Sequence, residues 1–168
     1  GFRLRDEQAG VVDAVLAAYA EGIETVILQA PTGTGKSLIG RTICSAFESS
    51  YLLTPTRALQ RQYHEDFPQE TTALFMGKQN YDCSFEDDTK VEDAACQSQR
   101  SGKQIRECSA SGLCPYYDAR REAMESVCAL LNFNAFMLWM DIAQSQEVPF
   151  FSRRGLHVID EAHRIEDC

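Results

Sequence analysis

The sequence lacks any apolar run of the roughly 20 residues that a helix needs to cross a bilayer. The longest apolar candidate, residues 127–140, is short and carries two Asn. Residues 1–6 contain no hydrophobic stretch typical of a secretion signal. These absences predict a protein with no membrane partner, in the cytoplasm or, in a eukaryote, in the nucleus.

Basic residues are also few, with 16 Lys and Arg against 25 Asp and Glu and a net charge of −9. Contacts with nucleic-acid phosphates require Lys and Arg, so the overall charge is unfavourable for such a partner. Local patches matter more than the sum, however, and a nucleic-acid partner therefore stays open.

The seven cysteines include no C-x2–4-C pair, the usual unit of zinc ribbons and fingers. Their odd number and the missing secretion signal disfavour a disulfide framework and favour metal binding. Four of them, Cys83, Cys96, Cys108 and Cys114, fall in or just after a polar, aperiodic segment at residues 77–112 that contains no His. Such a segment should be disordered unless a metal centre orders it. The scattered spacing slightly favours an iron–sulfur cluster over zinc.

A phosphate-binding loop is predicted at residues 30–37, which read A-P-T-G-T-G-K-S, with Ala30 in place of the usual first glycine. An apolar, β-branched stretch at residues 25–29 is predicted to be a buried strand before the loop, and a helix is predicted after it. This context gives the motif its meaning. The predicted nucleotide-binding residues are Thr32, Gly33, Thr34, Gly35, Lys36 and Ser37. Lys36 would reach the β- and γ-phosphates, and the Ser37 hydroxyl would ligate Mg²⁺.

A second motif, the acidic sequence Asp160-Glu161-Ala162-His163, follows a predicted strand at residues 155–159. Asp160 suits a Mg²⁺ ligand, and Glu161 suits the residue that orients or deprotonates the attacking water. Together with Lys36, these residues predict an ATP-hydrolysing site.

The order of predicted elements indicates an α/β fold. Further strands are predicted at residues 50–54, 72–75 and 127–131, and further helices at residues 4–19, 57–67, 115–126 and 135–143. Strands that alternate with helices predict a parallel sheet with helices on both faces.

Three motifs together resemble motifs I, Ia and II of superfamily 2 DEAH-type helicases: the phosphate loop, the segment T-P-T-R-A-L at residues 54–59, and the DEAH sequence. The segment C-P-Y-Y at residues 114–117 resembles the last cluster ligand of the iron–sulfur helicases typified by XPD and DinG. Residues 131–136 resemble the stretch that precedes motif II in that family.

This resemblance implies a RecA-like motor lobe in residues 1–76 and 119–168, interrupted at residues 77–118 by an irregular, Cys-rich iron–sulfur insert. It implies an ATP-dependent DNA helicase of repair, recombination or replication that moves 5′ to 3′ on single-stranded or forked DNA. The implied cofactors are a [4Fe–4S] cluster held by the four cysteines, and ATP with Mg²⁺. The residues implied to contact the DNA backbone are Thr54, Pro55, Thr56 and Arg57.

For two further residues, a role is implied only by the resemblance to helicases. His163 would couple the ATP site to the motor. Gln8 would read the adenine edge, or else it is simply a solvated helix residue.

The resemblance also implies a second motor lobe that supplies arginine fingers, and no motif of such a lobe occurs in these residues. The chain is therefore expected to be a fragment that binds nucleotide weakly and hydrolyses little ATP alone. The alternative is a non-catalytic iron–sulfur or zinc module that binds nucleic acid or senses redox state.

Overall fold

The computed structural model describes residues 3–67, 71–98, 112–146 and 154–167. Its helices are α1 (Asp6–Ala20), α2 (Lys36–Ser45), α3 (Arg57–Asp66), α4 (Ala95–Ser98), α5 (Pro115–Glu125) and α6 (Phe133–Gln146). Its strands are β1 (Ser50–Thr54), β2 (Thr72–Leu74), β3 (Cys128–Asn132) and β4 (Leu156–Ile159). Short 3₁₀ turns cover Lys78–Asn80 and Ala162–Asp167. Within these ranges, no helix has the length and apolar character to span a membrane.

The four strands form one sheet in the order β2-β3-β1-β4, and every pair is parallel. In the centre, Leu53 lies opposite Leu131 on one side and Ile159 on the other. Parallel neighbours require crossover connections, which the intervening helices supply. The predicted α/β fold with a parallel sheet is confirmed.

The two sides of the sheet bury different side chains because successive strand residues point in opposite directions. Leu52 and Leu130 face a core formed with α1, α2 and α3. Leu53 and Leu131 face a second core that includes Tyr116 of α5 and residues of α6. Helices therefore cover both faces, as predicted.

The strand predicted at residues 25–29 is wrong. These residues have no regular secondary structure, and they pair with none of the strands described above. Ile27 is 89% exposed, whereas Val26 packs against the first core. A β-branched run becomes a strand only where a neighbouring strand accepts its backbone hydrogen bonds, and the run alone does not reveal that neighbour.

Packing and backbone hydrogen bonds hold the described part of the Cys-rich segment, and the ordering role of a metal centre stays a prediction. Val91 is 2% exposed within the second core. Its amide donates to the carbonyl of Tyr81 at 3.0 Å, and the Cys83 amide donates to the carbonyl of Thr89 at 2.8 Å. One apolar residue in a tight loop leaves no periodicity in the sequence, which is why this anchor was not predicted.

Candidate nucleotide-binding site

The phosphate-binding loop turns through two glycines in the left-handed region, with φ of +81° at Gly33 and +82° at Gly35. Gly35 is the N-cap of α2, whose first turn carries no acidic residue. The partial positive charge of this helix end is therefore not neutralised locally and favours an anion. The Lys36 ammonium donates to the carbonyl of Ala30 at 3.0 Å, so the side chain reaches back across the loop.

Gln8 supports the loop from α1 and is not a solvated helix residue, because only 6% of it is exposed. Its Nε2 donates to the carbonyl of Thr34 at 2.8 Å, and Arg5 donates to the same carbonyl at 3.1 Å. A Cβ on Gly35 would lie 2.3 Å from Gln8 Nε2, so this approach requires glycine. Adenine recognition by Gln8 stays a prediction.

The acidic motif begins where β4 ends. The Asp160 amide donates to the carbonyl of Leu53 at 2.9 Å, which continues the pairing of β4 with β1 by one residue. Glu161 follows with φ of +52°. This left-handed conformation costs a non-glycine residue about 1–2 kcal/mol, and such strain collects at functional sites.

The loop and the acidic motif meet at one end of the sheet. Lys36 Nζ lies 4.0 Å from Glu161 Oε1, and both side chains are partly exposed. His163 Nδ1 lies 3.5 Å from Glu161 Oε2, although the imidazole is 73% exposed. Carboxyl ends of parallel strands commonly form ligand sites in α/β sheets. Lys36, Glu161 and His163 thus form one cluster open to solvent, while the catalytic role of each stays a prediction.

Tyr63 of α3 contacts Asp160, one of the two predicted Mg²⁺ ligands. Its hydroxyl donates to Asp160 Oδ2 at 2.9 Å. Burial raises the pKa of Tyr63 above its usual range. The phenol therefore stays protonated and remains a donor to Asp160.

The segment predicted to contact DNA lies between β1 and α3. Thr54 is fully buried, and its hydroxyl donates to the carbonyl of Thr56 at 3.3 Å. The Thr56 hydroxyl caps α3 by accepting from the Leu59 amide at 3.2 Å. Pro55 is half-buried, whereas Arg57 is exposed and lies 3.4 Å from Asn80 Oδ1. The side chain of Thr54 is thus unavailable to a partner, and that of Arg57 is the most accessible.

Three of the four predicted cluster ligands are described, and Cys83, Cys96 and Cys114 are all free thiols. Cys108 lies outside the described residues. Among the residues that are described, no three His, Cys, Asp or Glu side chains converge on a metal position.

The segments that carry these three thiols nevertheless meet around Tyr116. The rings of Tyr81 and Tyr116 lie 5.8 Å apart, and the Lys78 ammonium lies 5.7 Å from the Tyr116 ring. Lys78 also donates to Gln97 Oε1 at 2.6 Å. The cysteines are each within two residues of Tyr81, Gln97 or Tyr116.

A family model described as type III restriction enzyme, res subunit, matches residues 1–167. The chain belongs to this family. Comparison with curated proteins returned no match.

Two solved structures share the fold of this res-subunit family member. One, described as an XPD helicase, has a TM-score of 0.64 and 21% identity over 98% of this chain and 33% of its own. The other, described as a truncated XPD, has a TM-score of 0.57 and 18% identity over 98% of this chain and 55% of its own. The chain thus spans about a third to about half of these structures. The predicted resemblance to XPD helicases is confirmed in the fold, and family and fold agree with a helicase-type domain.

Two residues of the candidate nucleotide-binding site were not predicted from the sequence. Tyr63 lies on the buried face of an amphipathic helix and looks like an ordinary core residue, since its partner Asp160 is 97 residues away. Arg5, just before α1, holds the phosphate loop through Thr34. Neither position carries a local signal, because both contacts depend on the tertiary fold.

Proposed function

We propose that this chain is the ATP-binding lobe of a DNA helicase. The full-length enzyme would hydrolyse ATP to move 5′ to 3′ along single-stranded or forked DNA in repair, recombination or replication. The observation that carries the proposal is the 4.0 Å approach of Lys36 Nζ to Glu161 Oε1, which brings the two halves of a nucleotide site together. Chance glycine-rich turns and acidic turns have no reason to meet.

Each residue of the site has a defined task. Lys36 and the amides at the start of α2 bind the β- and γ-phosphates, while Ser37 and Asp160 hold Mg²⁺. When bound, Mg²⁺ neutralises charge that develops on the phosphates. Glu161 orients the attacking water and takes its proton, and His163, whose Nδ1 lies 3.5 Å from Glu161 Oε2, transmits the state of the site to the motor. Thr32 and Thr34 would bind the nucleotide as part of the loop, and Gln8, which holds Thr34, would read the adenine edge.

The catalytic site would be completed by a second motor lobe of the full-length protein. The chain covers only 33% of the XPD helicase structure, which leaves room for such a lobe. Arginine fingers from a facing domain stabilise the transition state by orders of magnitude. We therefore expect this chain alone to bind MgATP weakly and to hydrolyse it hardly at all.

The simplest test is binding of a fluorescent ATP analogue with Mg²⁺. Lys36→Ala should weaken binding at least tenfold, because it removes a charge-assisted contact with phosphate. Lys90→Ala is the matched control, since this exposed lysine pairs with Asp82 across a loop and should leave binding unchanged. Equal binding by both variants would refute the nucleotide site. In the full-length protein, Lys36→Ala should abolish unwinding.

The four cysteines would hold a [4Fe–4S] cluster. Cluster ligands must be free thiols on segments that lie close together. Three of the cysteines are free thiols on segments joined through Tyr116, and one of them, Cys114, is buried with 6% exposure. A cluster supplies a rigid cross-link between these segments. Arg57 and the cluster-bearing segment are adjacent through Asn80, so a DNA strand could contact both.

An absorbance spectrum of anaerobically purified protein, with iron and sulfide assays, tests the cluster. A broad band near 400 nm is expected, as for iron–sulfur proteins, and Cys114→Ser should reduce it. Cys44→Ser is the control, because Cys44 is fully buried in the first core. Colourless protein that contains zinc would refute the cluster and favour a structural zinc module.

A further inference from the structure

The hydroxyl of Tyr63 contacts Asp160, one of the two side chains assigned to Mg²⁺. It donates to Asp160 Oδ2 at 2.9 Å. Tyr63 is only 2% exposed, so water does not compete for this hydroxyl. Its position is therefore set by the protein alone.

Tyr63 is itself held firmly. Its ring packs against Phe67, with ring centroids 5.6 Å apart, and belongs to the first core with Leu52 and Leu130. One turn earlier, buried Gln60 donates to the carbonyls of Phe75 at 2.7 Å and Leu130 at 2.9 Å. These bonds fix α3 against the sheet, so the Tyr63 hydroxyl is a rigid reference point.

An ionised carboxylate has two oxygens and accepts several hydrogen bonds. The hydrogen bond from Tyr63 to Asp160 Oδ2 restricts rotation of the carboxylate, whose other acceptor positions would serve the metal or its water. Ligands that are oriented beforehand bind more tightly, because less freedom is lost on binding.

We propose that Tyr63 is a positioning residue that holds Asp160 in the orientation required for Mg²⁺. This inference rests on the proposed ATP site and adds to it a residue that contacts neither the nucleotide nor the metal. The role belongs to the hydroxyl alone, whereas the ring serves the core.

Mn²⁺ binding to the chain, followed by electron paramagnetic resonance with a non-hydrolysable ATP analogue, tests the role directly. Tyr63→Phe should weaken Mn²⁺ about tenfold, the effect of losing one hydrogen bond to a charged group. Binding of the analogue in EDTA should not change. Tyr81→Phe is the matched control, because that partly buried hydroxyl accepts from the Met76 amide at 3.1 Å, away from the site.

Combining Tyr63→Phe with Asp160→Asn distinguishes a role of Tyr63 through Asp160 from a purely structural role. If Tyr63 acts through Asp160, the double variant should bind Mn²⁺ no more weakly than Asp160→Asn alone. Unchanged Mn²⁺ affinity in Tyr63→Phe, an equal loss in Tyr81→Phe, or additive losses in the double variant would each overturn the inference. Absence of Mn²⁺–nucleotide binding in the wild type would overturn the proposed function itself, and the inference with it.

Discussion

Replacement of Arg154 by methionine tests how β4, and with it the acidic motif, is held in place. Arg154 precedes β4 and is only 8% exposed. Its guanidinium donates to five backbone carbonyls around the end of α5 and the starts of β1 and β3. They belong to Ser50, Ala123, Met124, Ser126 and Val127. It also lies 4.9 Å from the centre of the Tyr51 ring.

Methionine would keep much of the aliphatic volume but remove a charged donor from all five carbonyls. Val127 and Ala123 would keep a second donor, from Ser50 and Ser126 respectively, whereas the other carbonyls would lose the contact outright. Each buried polar group left unsatisfied costs about 1–3 kcal/mol, and loss of a buried charged network costs about 3–5 kcal/mol in total. Domains of this kind have a free energy of unfolding of only about 5–15 kcal/mol. A chain of this length should therefore lose about 10 °C or more in melting temperature.

Urea unfolding, followed by circular dichroism, measures the effect. Arg121→Met is the matched control, because Arg121 is exposed on α5 and pairs with Asp118 at 2.7 Å. Such surface pairs contribute about 0–1 kcal/mol. The reasoning fails if Arg154→Met unfolds at the same urea concentration as Arg121→Met, since the five carbonyls would then be satisfied without Arg154.

Two further predictions concern the phosphate loop and pH. Gly35→Ala should destabilise the chain by about 1–2 kcal/mol and weaken nucleotide binding, because the new Cβ would sit on a left-handed backbone and clash with Gln8. Gly10→Ala is the control: it has open space around it and should slightly stabilise α1. Calorimetry measures the stability of both variants, and titration with a fluorescent nucleotide measures their affinity. Equal stability and equal affinity of the two variants would contradict the prediction. Partial burial lowers the pKa of His157, so the unfolded chain takes up this proton more readily and stability should fall as pH drops below about 6.5. His157→Gln should flatten that fall in melting temperature between about pH 6.5 and 5, and an unchanged slope would refute the assignment.

Local sequence is sufficient to predict most of the sheet, because each paired strand is a short apolar run bounded by polar or turn residues. Residues 50–54 were predicted as a strand and form one, and the remaining three strands agree within one or two residues. The glycine-rich loop and the DEAH sequence are equally local signals. Both could be recognised without knowledge of the fold because backbone conformation and phosphate chemistry constrain neighbouring residues.

The features that could not be predicted depend on contacts distant in sequence. The run at residues 25–29 has strand-like composition but no strand partner among the described residues. Arg154 carries no local sequence signal, because its carbonyl partners come together only in the folded sheet. Val91 gained its place in the second core from a tight loop that leaves no periodic pattern.

Helix α3 connects the segment proposed to contact DNA with the proposed metal ligands. Its N-cap, Thr56, adjoins exposed Arg57, and Tyr63 binds Asp160 two turns later. At 1.5 Å per residue, the two positions are about 10 Å apart along the helix. Because Gln60 clamps the middle of α3 to the sheet, a displacement at Arg57 can reach Asp160 only if the helix moves as a unit and breaks buried hydrogen bonds. In the proposed helicase, contact at Arg57 would therefore act on Asp160 in an all-or-none manner.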